Sequence, residues 1–328
     1  MGPRPVTRQM LSDARYAWPM QDPLVEYATL PAVPIHPSVL AARVPIERLV
    51  ATLLAVRDGD LDTHWEWRNV ETGDVELRYG FYRIHELFEA AITAIEVARS
   101  GARESTGPAV PPLAAMAAAR WELHGVLVPL RDEDWDADPG GGEWTIRRTI
   151  AHIIGSQRSY GWYNAWYLTK GVVGAEVERP SDDKFPPEPT DEEDGAGGPA
   201  TVLARLDEIV DTNAAASAGL SAEAMSVSAR WSGVPVTIEF RLGRYGSHIR
   251  EHTVQVDKTL AMLGRRPTEV ERLVRLILDT YGRLEASLIG RPSDQLDRPL
   301  ADGRSAATIL TAAIDEAMAT AAEIRAAG

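Results

Sequence analysis

Read along the chain, apolar residues recur every three or four positions in eight stretches and alternate with polar ones in one. The helical period covers 45–59, 75–100, 113–130, 143–170, 199–219, about 241–264, 268–290 and 305–327. Strand-like alternation is confined to about 231–240, within a short hairpin or extended turn expected over 228–240. The pattern predicts an all-α protein. Four of its helices, between 113 and 264, are joined by short turns except for one long connection, 171–198, rich in Pro, Gly and acids. Such spacing predicts a four-helix bundle with a long crossover between helices two and three, plus additional helix pairs from both termini.

Residues 1–40 carry prolines at 3, 5, 19, 23, 31, 34 and 37 and read as an extended N-terminal arm. Residues 41–103 form a helical flank, a degenerate half-bundle, and the Gly- and Pro-rich GARESTGPAVPP (101–112) reads as a linker. The main bundle spans 104–266, and a C-terminal helical flank, 267–328, is expected to pack with 41–103 as a second bundle. Three joints share a rhythm of helix, acidic turn and helix: 54–87, 128–153 and 287–315. They suggest weak internal repeats.

Net charge is −14, which argues against a nucleic-acid or anionic-membrane partner. The acidic stretch DDKFPPEPTDEED (182–194) reads as a solvated linker. No apolar run approaches the roughly 20 residues of a membrane span, and no signal-peptide core is visible, so the expected compartment is the cytoplasm. There are no cysteines, hence no disulfide, thiolate metal site or cysteine nucleophile. Thiol chemistry would need a thiol brought by a small molecule. A small-molecule substrate is the expected partner, and a homo-oligomer stays open.

HIREH (248–252) spells H-x-x-E-H, the pattern of inverted zinc peptidases. Those enzymes take a third, glutamate ligand from a later helix; only 76 residues follow His252, with no second signature and little sheet. On a helix, His248 and His252 share a face. His252 lies within the apolar stripe Leu242, Tyr245, Ile249, Val256, Leu260 and Leu263, and His248 at its edge with Gln255. Buried imidazoles need partners, which a metal or neighbouring hydrogen bonds can equally provide. A third imidazole from another helix would complete a three-histidine site with open positions. His152 is the candidate, with Gly155, Ser156 and Ser159 leaving space beside its ring, although a packed core histidine fits it as well.

Trp144, Thr145 and His152 form W-[ST]-x6-H on the second bundle helix; His248, His252 and Gln255 form H-x3-H-x2-Q on the fourth. Together, in this order and preceded by the acidic RDEDWD joint, they resemble the DinB-like metalloprotein family over roughly 113–265. The resemblance implies one divalent ion, zinc, nickel or iron, held by His152, His248 and His252. Members include thiol-dependent S-transferases, mycothiol-dependent maleylpyruvate isomerases and the metal-binding part of ergothioneine-forming sulfoxide synthases. The expected function is therefore a metal-dependent enzyme on small molecules, a transferase or isomerase using a low-molecular-weight thiol cosubstrate. Alternatives are a metal-dependent hydrolase and a non-catalytic metal-stabilised scaffold.

Trp144, Gly155, Ser159, Tyr245 and Gln255 are expected around the site. Glu251 is a candidate base, or an ion-pair partner of Arg250 or a neighbouring helix; Arg148 is a candidate for a substrate carboxylate, or for pairing with an acid. The aromatic cluster Tyr160, Trp162, Tyr163, Trp166 and Tyr167 is packing or a substrate wall. His85 occupies the place of His152 in the repeat rhythm without an H-x-x-x-H partner, and the third copy has Ala312 there. His124 reads as core or surface, with the lining of the pocket as the alternative, and His36 and His64 fall in turn-like sequence.

Overall fold

The structure, a computed structural model, describes residues 32–67, 74–102 and 106–328. Most of the expected arm, residues 1–31, lies outside them. The described residues form twelve helices and two small hairpins. The fold is all-α.

The first helix, α1 (Pro37–Leu54), begins eight residues before the expected start at 45. Pro37 lies in its first turn, where a missing N–H costs nothing, and Ser38 N–H donates to His36 Nδ1 (3.2 Å) as a cap. Pro45 then lies inside the helix. A hairpin that periodicity does not reveal follows, β1 (His64–Glu66) against β2 (Asp74–Glu76), each three residues long. It leads into α2 (Leu77–Ala102). Next, α3 (Val110–Leu127) starts within the expected linker, because Pro111 and Pro112 initiate a helix instead of separating two.

The acidic joint after α3 holds a one-turn helix, α4 (Asp132–Asp136), whose Trp135 is buried. Then come α5 (Ile146–Lys170), the short α6 (Asp191–Asp194) and α7 (Pro199–Ser217). The one-turn α8 (Ala222–Met225) precedes the second hairpin, β3 (Ser228–Trp231) with β4 (Val234–Thr237), which falls where alternation predicts it. The remaining helices are α9 (Ile238–Met262), α10 (Glu269–Ala286), the short α11 (Ser293–Asp297) and α12 (Ala306–Ala327).

Packing defines two rings of four. In the first, α3 meets α9, α9 meets α5, α5 meets α7, and α7 returns to α3. In the second, α1 meets α12, α12 meets α2, α2 meets α10, and α10 returns to α1. The rings share an extensive contact between α3 and α10. Its cause is legible in α3, LAAMAAARWELHGVL, which is apolar on nearly every side and buried along both flanks. Small residues let the neighbours close in. A Cβ on Gly246 of α9 would lie 2.9 Å from the Ala115 backbone, and one on Gly282 of α10 only 2.6 Å from Trp121 Cβ.

A buried ionic cluster stitches the same junction. Arg120 and Glu285, both without solvent exposure, form an ion pair, and Arg120 also donates to Asp211 at 2.8 Å. Arg43 from α1 donates to Asp211 (2.9 Å) and Glu285 (3.1 Å). Burial alone would raise the Glu285 carboxyl, but Arg120 and Arg43 hold it below the usual carboxylate range.

The long crossover is not simply a solvated acidic linker. Asp194 is buried and takes a bidentate pair from Arg158 of α5 at 2.9 and 2.6 Å. Phe185 packs on Trp162 (4.2 Å between ring centroids) and Tyr163 (4.8 Å). The crossover is thus pinned along α5.

Candidate metal centre

Two helices carry the three histidines, and each is fixed at its start. Thr145 caps α5 by accepting from Arg148 N–H at 3.2 Å, just after Gly140, Gly141 and Gly142, all at positive φ, turn the chain. Thr237 caps α9 in the same way. Cross-links set the register between them: Gln157 Nε2 donates to the Tyr245 carbonyl (2.9 Å), and Thr259 Oγ1 to the Trp144 carbonyl (3.4 Å). The close approach at Gly246 holds α9 on α3 two residues before His248.

Within this frame one ring nitrogen from each of His152, His248 and His252 lies within 4.8 Å of the others. His248 Nε2 and His252 Nε2 are 3.0 Å apart, and the His152 ring is 5.4 and 4.9 Å from those two rings. His252 Nδ1 meets Gln255 Oε1 at 2.7 Å. Since the amide oxygen can only accept, Nδ1 carries the proton and Nε2 keeps its lone pair. Gln255 therefore sets the tautomer a metal ligand requires.

Burial, then the His252 and His152 charges, push the His248 imidazole down to about 3. His152 is lowered by burial first and by His252 second. Both are neutral at pH 7. His248 Nδ1 is buried with no hydrogen-bond partner. Neighbouring side chains thus satisfy only one of its two ring nitrogens. Three imidazoles, one oriented from behind, are a donor set that fits a divalent ion of borderline softness.

The other expected residues divide. Trp144 stacks at 6.4 Å on His252 and meets His152 edge-on at 5.0 Å. Arg148 lies over the Trp144 ring at 4.9 Å, with Asp191 3.8 Å away. Ser159 is half-buried on the histidine face of α5, whereas a Cβ at Gly155 would point to Asp194 Oδ2 at 3.6 Å. Tyr245 is buried and takes a hydrogen bond from Asn164 at its hydroxyl (2.9 Å), with its ring 6.3 Å from Tyr160. Glu251 pairs with Arg244 at 2.7 and 2.8 Å, seven residues earlier on the same helix. Arg250 instead reaches Glu122 at 3.2 Å.

Of the aromatic cluster, Tyr160 alone faces the histidines, 5.3 Å from His248. Trp162 and Tyr163 anchor the crossover through Phe185. Ser156, expected beside the His152 ring, has its Oγ 3.4 Å from His152 Nε2; two further neighbours are not apparent from the motifs, Trp231, 5.0 Å from Tyr160, and Arg244. Arg244 stands four residues before His248, so helical spacing could have found it; Trp231 arrives on the hairpin with no local signal. The remaining histidines have ordinary partners. His85 Nδ1 meets Thr280 Oγ1 (2.6 Å), His124 meets Asp207 (3.0 Å), His36 meets Asp297 (3.2 Å) and His64 meets Asp74 (3.3 Å).

Fold and site together define a helical-bundle protein with a three-histidine cluster able to hold a metal ion. Residues 115–256 match the family model of the DinB superfamily. No curated protein and no solved structure matches the chain. Among the described residues no helix is long and apolar enough to cross a membrane.

Proposed function

We propose that His152, His248 and His252 bind one divalent ion, zinc, nickel or iron, and that the protein is a metal-dependent enzyme of small molecules in the cytoplasm. The observation that carries this reading is the convergence of three imidazole nitrogens within 4.8 Å, with Gln255 fixing the tautomer of one. When bound, the ion supplies a Lewis-acid charge that lowers the pKa of a thiol or water presented to it. The chain's own contribution is positional. Gln255 orients His252, Trp144 walls one side against water, and Tyr160, Ser156 and Ser159 border the α5 side. Glu251, tied to Arg244, is committed to an ion pair, which favours orienting duty over proton abstraction.

The reaction class we propose is thiol-dependent transfer or isomerisation, with a low-molecular-weight thiol as cosubstrate. The chain has no cysteine of its own. Cobalt-substituted protein should therefore develop an intense near-ultraviolet charge-transfer band only when mycothiol, bacillithiol or glutathione is added. No band, with a rate that follows the ionisation of a water, would replace this reaction class by hydrolysis. Neither thiol nor exchangeable water at the ion would leave a metal-stabilised scaffold.

A further inference from the structure

Away from the histidines, a cleft of about 400 Å³ opens where the first bundle meets α10. Its floor is apolar: Val126, Leu130 and Leu260, the first and last buried and Leu130 half-buried. Its rim carries four arginines, 265, 266, 272 and 275, against two acids, Asp257 and Glu271. In a chain of net charge −14 this is a local inversion of sign.

The four arginines are not equivalent. Arg275 is held by Asp257 through two contacts of 3.1 Å, and Arg265 by Glu271 at 3.1 Å. Arg272 donates to the Pro267 carbonyl (2.9 Å) and has no carboxylate within ion-pair distance among the described residues. Arg266 is exposed, and its side chain makes no hydrogen bond or ion pair with them. Two guanidinium groups on the rim are thus without a paired carboxylate, Arg272 feeling only the nearby Asp58 charge, beside two locked in place. The α10 N-terminus adds nothing here, since Asp58 and Thr268 already accept its N–H groups.

We propose that this cleft binds a small amphiphilic anion, its carboxylate or phosphate held by Arg266 and Arg272 and its apolar body laid along Val126, Leu130 and Leu260. A guanidinium fork matches either head group. The volume suits a ligand of modest size, and a positive cleft on an acidic protein draws anions toward it. Asp257 faces α10 while His252 faces His152 on α5, so the cleft is separate from the histidine cluster and independent of the reading given above.

The test is calorimetric titration of the full chain with octanoate, octyl phosphate and, as neutral control, octanol. One saturable site is expected for at least one anion below about 1 mM, with octanol not binding it. Whichever anion binds more tightly identifies the head group. The doubly substituted Arg266→Ala/Arg272→Ala chain, changed only at the rim, should lose at least fivefold in affinity, and His252→Ala should lose none. No saturable site for either anion, equal binding of octanol, or a smaller loss in the double variant would overturn the proposal.

Discussion

The two bundles are built alike and equipped differently. Each closes a ring from two helix pairs, and the joint between α10 and α12 reproduces that between α3 and α5: a one-turn helix with a buried apolar residue, Leu296 or Trp135, then a hydroxyl cap, Ser305 or Thr145. Seven residues after the cap stands His152 in one case and the exposed Ala312 in the other. In the second ring α2, α10 and α12 bring Phe81, Ile84, Phe88, Ile277 and Ile314 inward, and His85 settles on Thr280. What sets the first ring apart is therefore not its architecture but the imidazoles of α5 and α9.

Four perturbations sharpen this contrast, in descending size. Glu285→Ala should destabilise the protein by about 3–5 kcal/mol, because it removes the fully buried carboxylate at the seam between the rings and leaves Arg120 and Arg43 to share Asp211. Chemical denaturation checks this, and an unchanged midpoint would mean the seam is not a shared structural element. His252→Ala should lower metal affinity by about a hundredfold or more, on the order of 2.7 kcal/mol, while His85→Ala leaves it intact. Metal analysis after dialysis reads both, and full stoichiometry in His252→Ala would break the assignment.

Gln255→Ala should weaken metal binding more mildly, by about 10- to 100-fold, as loss of an outer partner does. Competition with a chelator measures it; no change would mean that Gln255 does not set the His252 tautomer. The smallest effect is on pH. His248, at about 3 in the folded protein and about 6.5 when unfolded, takes its proton only in the unfolded state between those values. Stability of the metal-free chain should therefore fall as pH drops below about 6.5, modestly by pH 6. In His248→Leu that slope should flatten; melting curves at pH 7 and 6 give the answer.

Periodicity located the long helices because all but α3, which is buried on both flanks, bury mainly one stripe, and the paired motifs located the histidines because a helical turn converts spacing into a shared face. Prolines misled at Pro37, Pro111 and Pro112: the same residue that separates elements also starts helices, and only the carbonyls and caps around it decide which. Asp194 looked solvated within an acidic run, since nothing local to it announces Arg158, 36 residues earlier. Tyr160 was visible only as a member of an aromatic cluster, because the facing direction of each ring depends on the crossover and the hairpin that pack against it.

The helix α3, buried on both flanks, has a consequence for how the molecule is assembled. During synthesis α1 and α2 emerge first, yet their ring closes only with α10 and α12. Between those events α3, α5, α7 and α9 are made and can close around one flank of α3. The early pair must remain unclosed while some 200 intervening residues are translated (about 10–40 s at common elongation rates), its apolar faces awaiting partners. Holding such surfaces open is the circumstance in which nascent chains recruit chaperones. On this account, slowing translation after α9 should tax α1 and α2 more than the histidine-bearing helices.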